Sequence, residues 1–281
     1  MTAPHEQQAP IWQGGQPLGS YTSPIPVRPA TLGDAVASEW TKIRSVRSTM
    51  WTLGVMIVLM VGVGGLAAWA VSLSETTLGA ESALPLGFFG ALLGSICVIT
   101  LGVLTIASEY GTGMIRTTLT ACPSRSRVLA AKSLVFFLLV LTITTVTAAL
   151  VGGIQVAVLD GRAPTGQEWL QATLGVGLYL ALLGLMSLGV GALIRHSAGA
   201  ITIMIGVVLL PLVLAMFMFS SSLVDVQQAL FEYSIPSQIA VLYDTSMTGS
   251  GPKGWDPLFI GTVVAAAVMA LAFFSLDRRD V

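Results

Sequence analysis

The chain has 281 residues, 54% of them hydrophobic and only 10% charged, with a mean hydropathy of +0.84 and a net charge of -1. Water-soluble domains carry about 25% charged residues, so this composition excludes an ordinary soluble fold and names a membrane as the solvent. Two cysteines, Cys97 inside an apolar run and Cys122 in a polar connector, exclude a disulfide framework and a multi-cysteine metal site, and no nucleic-acid partner is expected.

Residues 1–30, Met1 to Ala30, are rich in Pro, Gln and Gly and contain no apolar core of signal-peptide length, so they are expected to be a disordered cytoplasmic tail that is kept. From Leu32 to Met50 the apolar residues Leu32, Val36, Trp40, Ile43, Val46 and Met50 recur at three- and four-residue steps. That spacing predicts an amphipathic helix over 31–50 lying on the inner leaflet, with Thr31 as its N-cap. Trp40 with Lys42, Arg44 and Arg47 supplies the interface-seeking aromatic and the contacts to anionic lipid.

Residues 51–281 read as one membrane domain. Six runs reach the roughly 20 apolar residues a spanning helix needs: 51–73, 85–107, 134–159, 170–194, 198–219 and 257–276. None contains Asp, Glu, Lys, Arg or His, and their continuous apolarity favours helices over alternating barrel strands. The predicted fold is therefore all-α, a polytopic bundle of about six transmembrane helices.

Placing both termini inside leaves only Arg162 and Lys253 of the 13 basic residues outside, so the positive-inside rule orients the bundle. The longest cytoplasmic connector, Ser108 to Ser133, is too patterned for a plain turn. Met114, Ile115 and Leu119 predict a short surface helix over about Thr112 to Ala121, stopped at Pro123, with a second apolar run resuming at Val128. Outside, Ser220 to Asp256 predicts one or two short helices dipping into the outer interface, then a flexible tract from Thr248 to Gly254.

No phosphate-binding loop is present, so the chain is not expected to hydrolyse ATP, and with only Cys97 among the His, Asp, Glu and Cys residues placed in a span, an intramembrane enzyme or ion-coupled carrier is disfavoured. Gly90 and Gly94, and Gly184, Gly189 and Gly191, allow close helix approach, for which packing within one chain is the preferred reading. Thr142, Thr144, Thr145 and Thr147, with Pro211, either line and kink a passage or, by default, bond back to their own helices.

Two stretches carry a family resemblance: Ser38-Glu39-Trp40-Thr41-Lys42-Ile43-Arg44-Ser45-Val46-Arg47-Ser48, and Ser108-Glu109-Tyr110-Gly111-Thr112-Gly113 followed by Ile115-Arg116-Thr117-Thr118-Leu119 and Pro123-Ser124-Arg125. With them the chain resembles the permease subunits of ABC-2-type transporters, of the actinobacterial kind, from about Thr31 onward. The resemblance implies a subunit of a bacterial plasma membrane, multi-pass, without a cofactor or ATPase site of its own, that pairs with a second permease copy. A separate ATPase subunit binds the ATP. It also implies a coupling helix at about Thr112 to Ala121. Glu109, Gly111, Thr112, Gly113, Arg116, Pro123, Arg125 and Arg127 would form the docking loop, aided by Glu39, Trp40, Lys42, Arg44 and Arg47 of the interfacial helix. Export is the family habit. The uncharged spans suit a hydrophobic or amphipathic passenger, or a polymer or peptide. The alternative reading is a non-transporting scaffold that uses the same cytoplasmic surface.

Overall fold

A computed structural model describes residues 30–74, 78–245 and 250–278; the predicted tail at 1–29 lies outside them, as do residues 248 and 249 of the flexible tract. The fold below is that of the body from Thr31 onward. It is an all-helical bundle with six helices long and apolar enough to cross a membrane.

Helix α1 (Leu32–Ser45) starts where Thr31 and Asp34 cap each other: Thr31 Oγ1 accepts from the Asp34 amide and Asp34 Oδ2 accepts from the Thr31 amide at 2.9 Å. The predicted interfacial helix ran on to Met50. Instead Val46 turns extended and the chain re-enters a helix at Arg47, so Arg47 to Met50 open the first span, α2 (Arg47–Leu73). Helix α3 (Phe88–Gly111) returns. Thr112 and Gly113 then form a turn, with Gly113 at φ 73, a left-handed value that glycine adopts without a Cβ clash. The short surface helix α4 (Met114–Ala121) therefore begins two residues later than the sequence suggested. It ends where Cys122, next to Pro123, goes extended.

Helix α5 (Arg125–Val158) is far longer than the predicted 134–159. At 1.5 Å per residue its 34 residues extend about 51 Å, against a hydrocarbon core of about 30 Å, so its first turns project beyond the apolar layer. The fourth span is α6 (Gly166–Leu170), a π turn (Gln171–Gly175) and α7 (Val176–Ile194); the fifth is α8 (Ser197–Met216) and the last is α11 (Asp256–Arg278).

The fourth span is the hub, with 72% of its most apolar stretch buried against 22% for the first, fifth and sixth. It packs on α3, α5 and α11. Close approach is built from glycines: a Cβ on Gly102 would lie 2.5 Å from the Gly184 carbonyl oxygen, and one on Gly90 would lie 2.8 Å from the Met60 carbonyl oxygen. The glycine pairs thus weld helices of one chain. Thr142, Thr144 and Thr147 bond back to Leu138, Val140 and Ile143, as the default reading expects, whereas the buried hydroxyl of Thr145 makes no hydrogen bond.

Two short helices follow α8: α9 (Val224–Glu232), mostly exposed, and α10 (Ile235–Leu242). Short helices are expected there and two form, but α10 is covered by protein. Nearly all of it is buried, against α3, α7 and α11, because Ile235, Ile239 and Leu242 have an apolar cleft to fill.

Candidate functional site: an ionic tie beneath the surface helix

The end of the bundle that carries α1, α4, the first turns of α5, the α7–α8 turn and the end of α11 holds an ion network joining four elements. Lys132 of α5 is 2% exposed, its Nζ 2.5 Å from Glu39 Oε2 of α1 and 2.8 Å from Glu109 Oε1 of α3. Lys42, one turn beyond Glu39, reaches Glu39 Oε1 at 2.8 Å and Glu109 Oε1 at 3.1 Å. Its third proton goes to Thr118 Oγ1 of α4, also at 3.1 Å. Two carboxylates face two ammonium groups, so the cluster is neutral, and burial strengthens each pair provided every partner stays.

Burial, the largest single influence on Lys42, works to lower its pKa. The hydrogen bonds and charges of Glu39 and Glu109 outweigh it, so the pKa lies above its ordinary value of 10.5 and the group is fully charged near neutrality.

The residue after Glu109 makes a second tie. The Arg195 guanidinium, at the α7–α8 turn, lies over the Tyr110 ring with its carbon 4.9 Å from the centroid. Arg125 Nη1 donates to the carbonyl of Leu276 at 3.0 Å, holding the end of α11 against the start of α5. Ser108 to Gly113 is thus a junction: Glu109 grips α1 and α5, Tyr110 meets the α7–α8 turn, and Gly113 supplies the turn into α4.

The sequence-predicted docking residues separate into two groups. Gly111, Thr112, Gly113, Arg116, Pro123, Trp40, Arg44 and Arg47 are exposed, although Arg47 belongs to α2 and not to the interfacial helix. Glu39 and Glu109 are 3% and 5% exposed and turned inward, while Lys42, Arg125 and Arg127 are half-buried. The carboxylates of Glu39 and Glu109 are each engaged by lysines inside the chain. Lys132, Thr118, Tyr110 and Arg195 are not among the residues expected from the sequence to form the docking surface. Lys132 read as a loop charge because it lies just before an apolar run; the available signal was that Glu39 and Glu109 are acids in otherwise basic segments, which implies internal counter-charges.

Helix α4 is pinned from below by Ile115, 6% exposed, and from the side by Thr118, so that Met114, Arg116, Thr117 and Thr120 face outward. Among the described residues no group of three His, Cys, Asp or Glu could hold a metal. The ion network and the Thr118 hydrogen bond join α4 and α1 to α3 and α5.

These features define a class, the multi-pass membrane proteins that carry a rigidly seated surface helix at one end of the bundle. Residues 35–212 match the family described as ABC-2 family transporter protein, and the chain belongs to that family. The matched stretch begins inside α1 and ends inside α8, so it contains all five residues of the tie. No individual curated protein matches the chain.

Proposed function

We propose that this chain is the membrane half of an ATP-driven exporter. In this reading a separate ATPase subunit seats on the outward face of α4 and the adjoining part of α1, and two permease copies form the path. Family membership supports the permease role. The observation that carries the docking site is α4 itself: a short helix with an exposed polar face, fastened by a buried network to two spans and the interfacial helix. A surface meant to transmit motion needs that stiffness, because a flexible loop would absorb the displacement.

The excess of Lys and Arg at this end supports placing it, with both termini, in the cytoplasm. ATP binding by the partner would draw α4 and α1 together and shift the spans between two arrangements.

The test is affinity purification of the tagged chain from its native membrane, with mass spectrometry of bound proteins and an ATPase assay. The expected result is a stoichiometric ATPase, lost when Arg116 and Thr120 are both changed to Glu on a chain that still inserts and keeps its thermal midpoint. A clean preparation with no nucleotide-binding partner would sink the transporter reading in favour of a scaffold.

A further inference from the structure

Beside the tie lies a cavity of about 270 Å³, walled by Ser48, Thr49 and Thr52 from the first turns of α2 and by Thr105 and Glu109 of α3. Leu101 and Leu104 continue its wall toward the apolar spans. It therefore sits beside the first turns of α2 and the last turns of α3, where the apolar runs of those helices give way to polar residues.

Glu39, Lys42 and Lys132 line it as well, and two polar features in this wall are left unmatched, of opposite sign. Helix α2 runs 27 residues and no side chain caps its start at Val46, so the amides of its first turn are free to meet an anion. On the other side, Glu109 Oε1 takes both lysines whereas Glu109 Oε2 is buried without a hydrogen bond. Lys42 has its three protons in use, and Lys132 donates to Glu39 and to the other oxygen of Glu109, so neither lysine bonds Oε2. A buried carboxylate oxygen without a donor is costly, and the donor it favours is a cation bearing N–H.

We propose that this cavity binds the phosphoethanolamine headgroup of a membrane lipid, with the phosphate at the start of α2 and the primary ammonium at Glu109 Oε2. One zwitterion satisfies both features. A choline headgroup has no N–H to donate, and a phosphoglycerol headgroup brings no cation to the carboxylate. The inference depends on the cavity and its position, and not on which protein docks at α4.

The experiment reconstitutes the full chain in nanodiscs of equal phosphatidylethanolamine, phosphatidylcholine and phosphatidylglycerol, extracts it with detergent, and quantifies the lipid retained by mass spectrometry. Wild type should hold phosphatidylethanolamine about tenfold over phosphatidylcholine, the discrimination expected of one charge-assisted hydrogen bond. Thr105→Phe fills the cavity while leaving every charged member of the network in place and should abolish that preference. Should that variant fail to fold, Arg47→Pro and Arg47→Ala carry the test. Proline at the first helical position removes an amide the helix leaves unused, so only the proline variant should lose retention. Equal retention of the three lipids by wild type would mean that the cavity holds water only. A preference that survives Thr105→Phe, or a proline variant that retains as much as the alanine one, would equally overturn the proposal.

Discussion

The two ends of the bundle are held by different means. At the basic end a buried ion network spans α1, α3, α4 and α5. At the opposite end the loops are joined by backbone hydrogen bonds and an exposed pair: the Arg162 amide donates to the Glu81 carbonyl at 3.1 Å, Arg162 Nε to the Ala80 carbonyl at 3.2 Å, and Arg162 pairs with Glu168 at 2.6 Å. Deeper there, the neutral side chain of Gln155 donates to the Gly64 carbonyl at 3.3 Å. Exposed pairs contribute little and break cheaply, whereas a buried network resists the loss of any member. The basic end is thereby held by buried charge, and the loops at the opposite end by shallower ties together with the Glu232 contacts to Gln228 and Ser250.

The sharpest way to break that contrast is Lys132→Ala, which leaves Glu39 and Glu109 buried against fewer cations and should cost about 3–5 kcal/mol, read as a lowered thermal midpoint in detergent. Neutralising all four together, with Glu39→Gln, Glu109→Gln, Lys42→Met and Lys132→Met, should cost much less, because no charge is stranded. If the quadruple variant proves as unstable as the single one, the network is not acting through charge. Arg125→Ala should come next, at about 2 kcal/mol, by releasing the Leu276 carbonyl that ends α11; increased proteolysis near residue 276 would accompany it.

At the other end, Gln155→Leu removes one neutral hydrogen bond from a fully buried site and should cost only about 1 kcal/mol, with no loss of insertion. The smallest effect is a pH dependence. Because the pKa of Lys42 is raised, its contribution is complete below 10.5 and fades as the pH climbs through the raised value. Midpoints of wild type and Lys42→Met should differ by a constant amount from neutrality to about pH 10 and converge above it.

Much of this was legible in the sequence. The six spans follow from uninterrupted apolar runs, and the cap at Thr31 and the stop at Pro123 follow from local chemistry that tertiary packing does not override. The register of charges was not legible. Lys132 lies outside the apolar run, and only the projection of α5 beyond the membrane brings it into a helix facing Glu109. Glu39 and Glu109 are 70 positions apart in sequence, and nothing local announces that a lysine of a third segment fills the gap between them. Arg125 similarly looked like a loop charge until the end of α11 arrived beside it. The burial of α10 escaped for a related reason: an apolar octet next to a membrane reads the same whether lipid or protein covers it.

The π turn at Gln171–Gly175 has a consequence for engineering. A π turn is an α-helix that has absorbed one additional residue while keeping the phase of the helix on both sides. Deleting one residue from 171–175 should let the segment relax to a regular helix, with Trp169 and Tyr179 keeping their facing. The same deletion elsewhere in α7 would rotate everything downstream by about 100°, swinging Gly184 off its neighbours. The centre of the bundle thus contains one place where the length of the chain is negotiable.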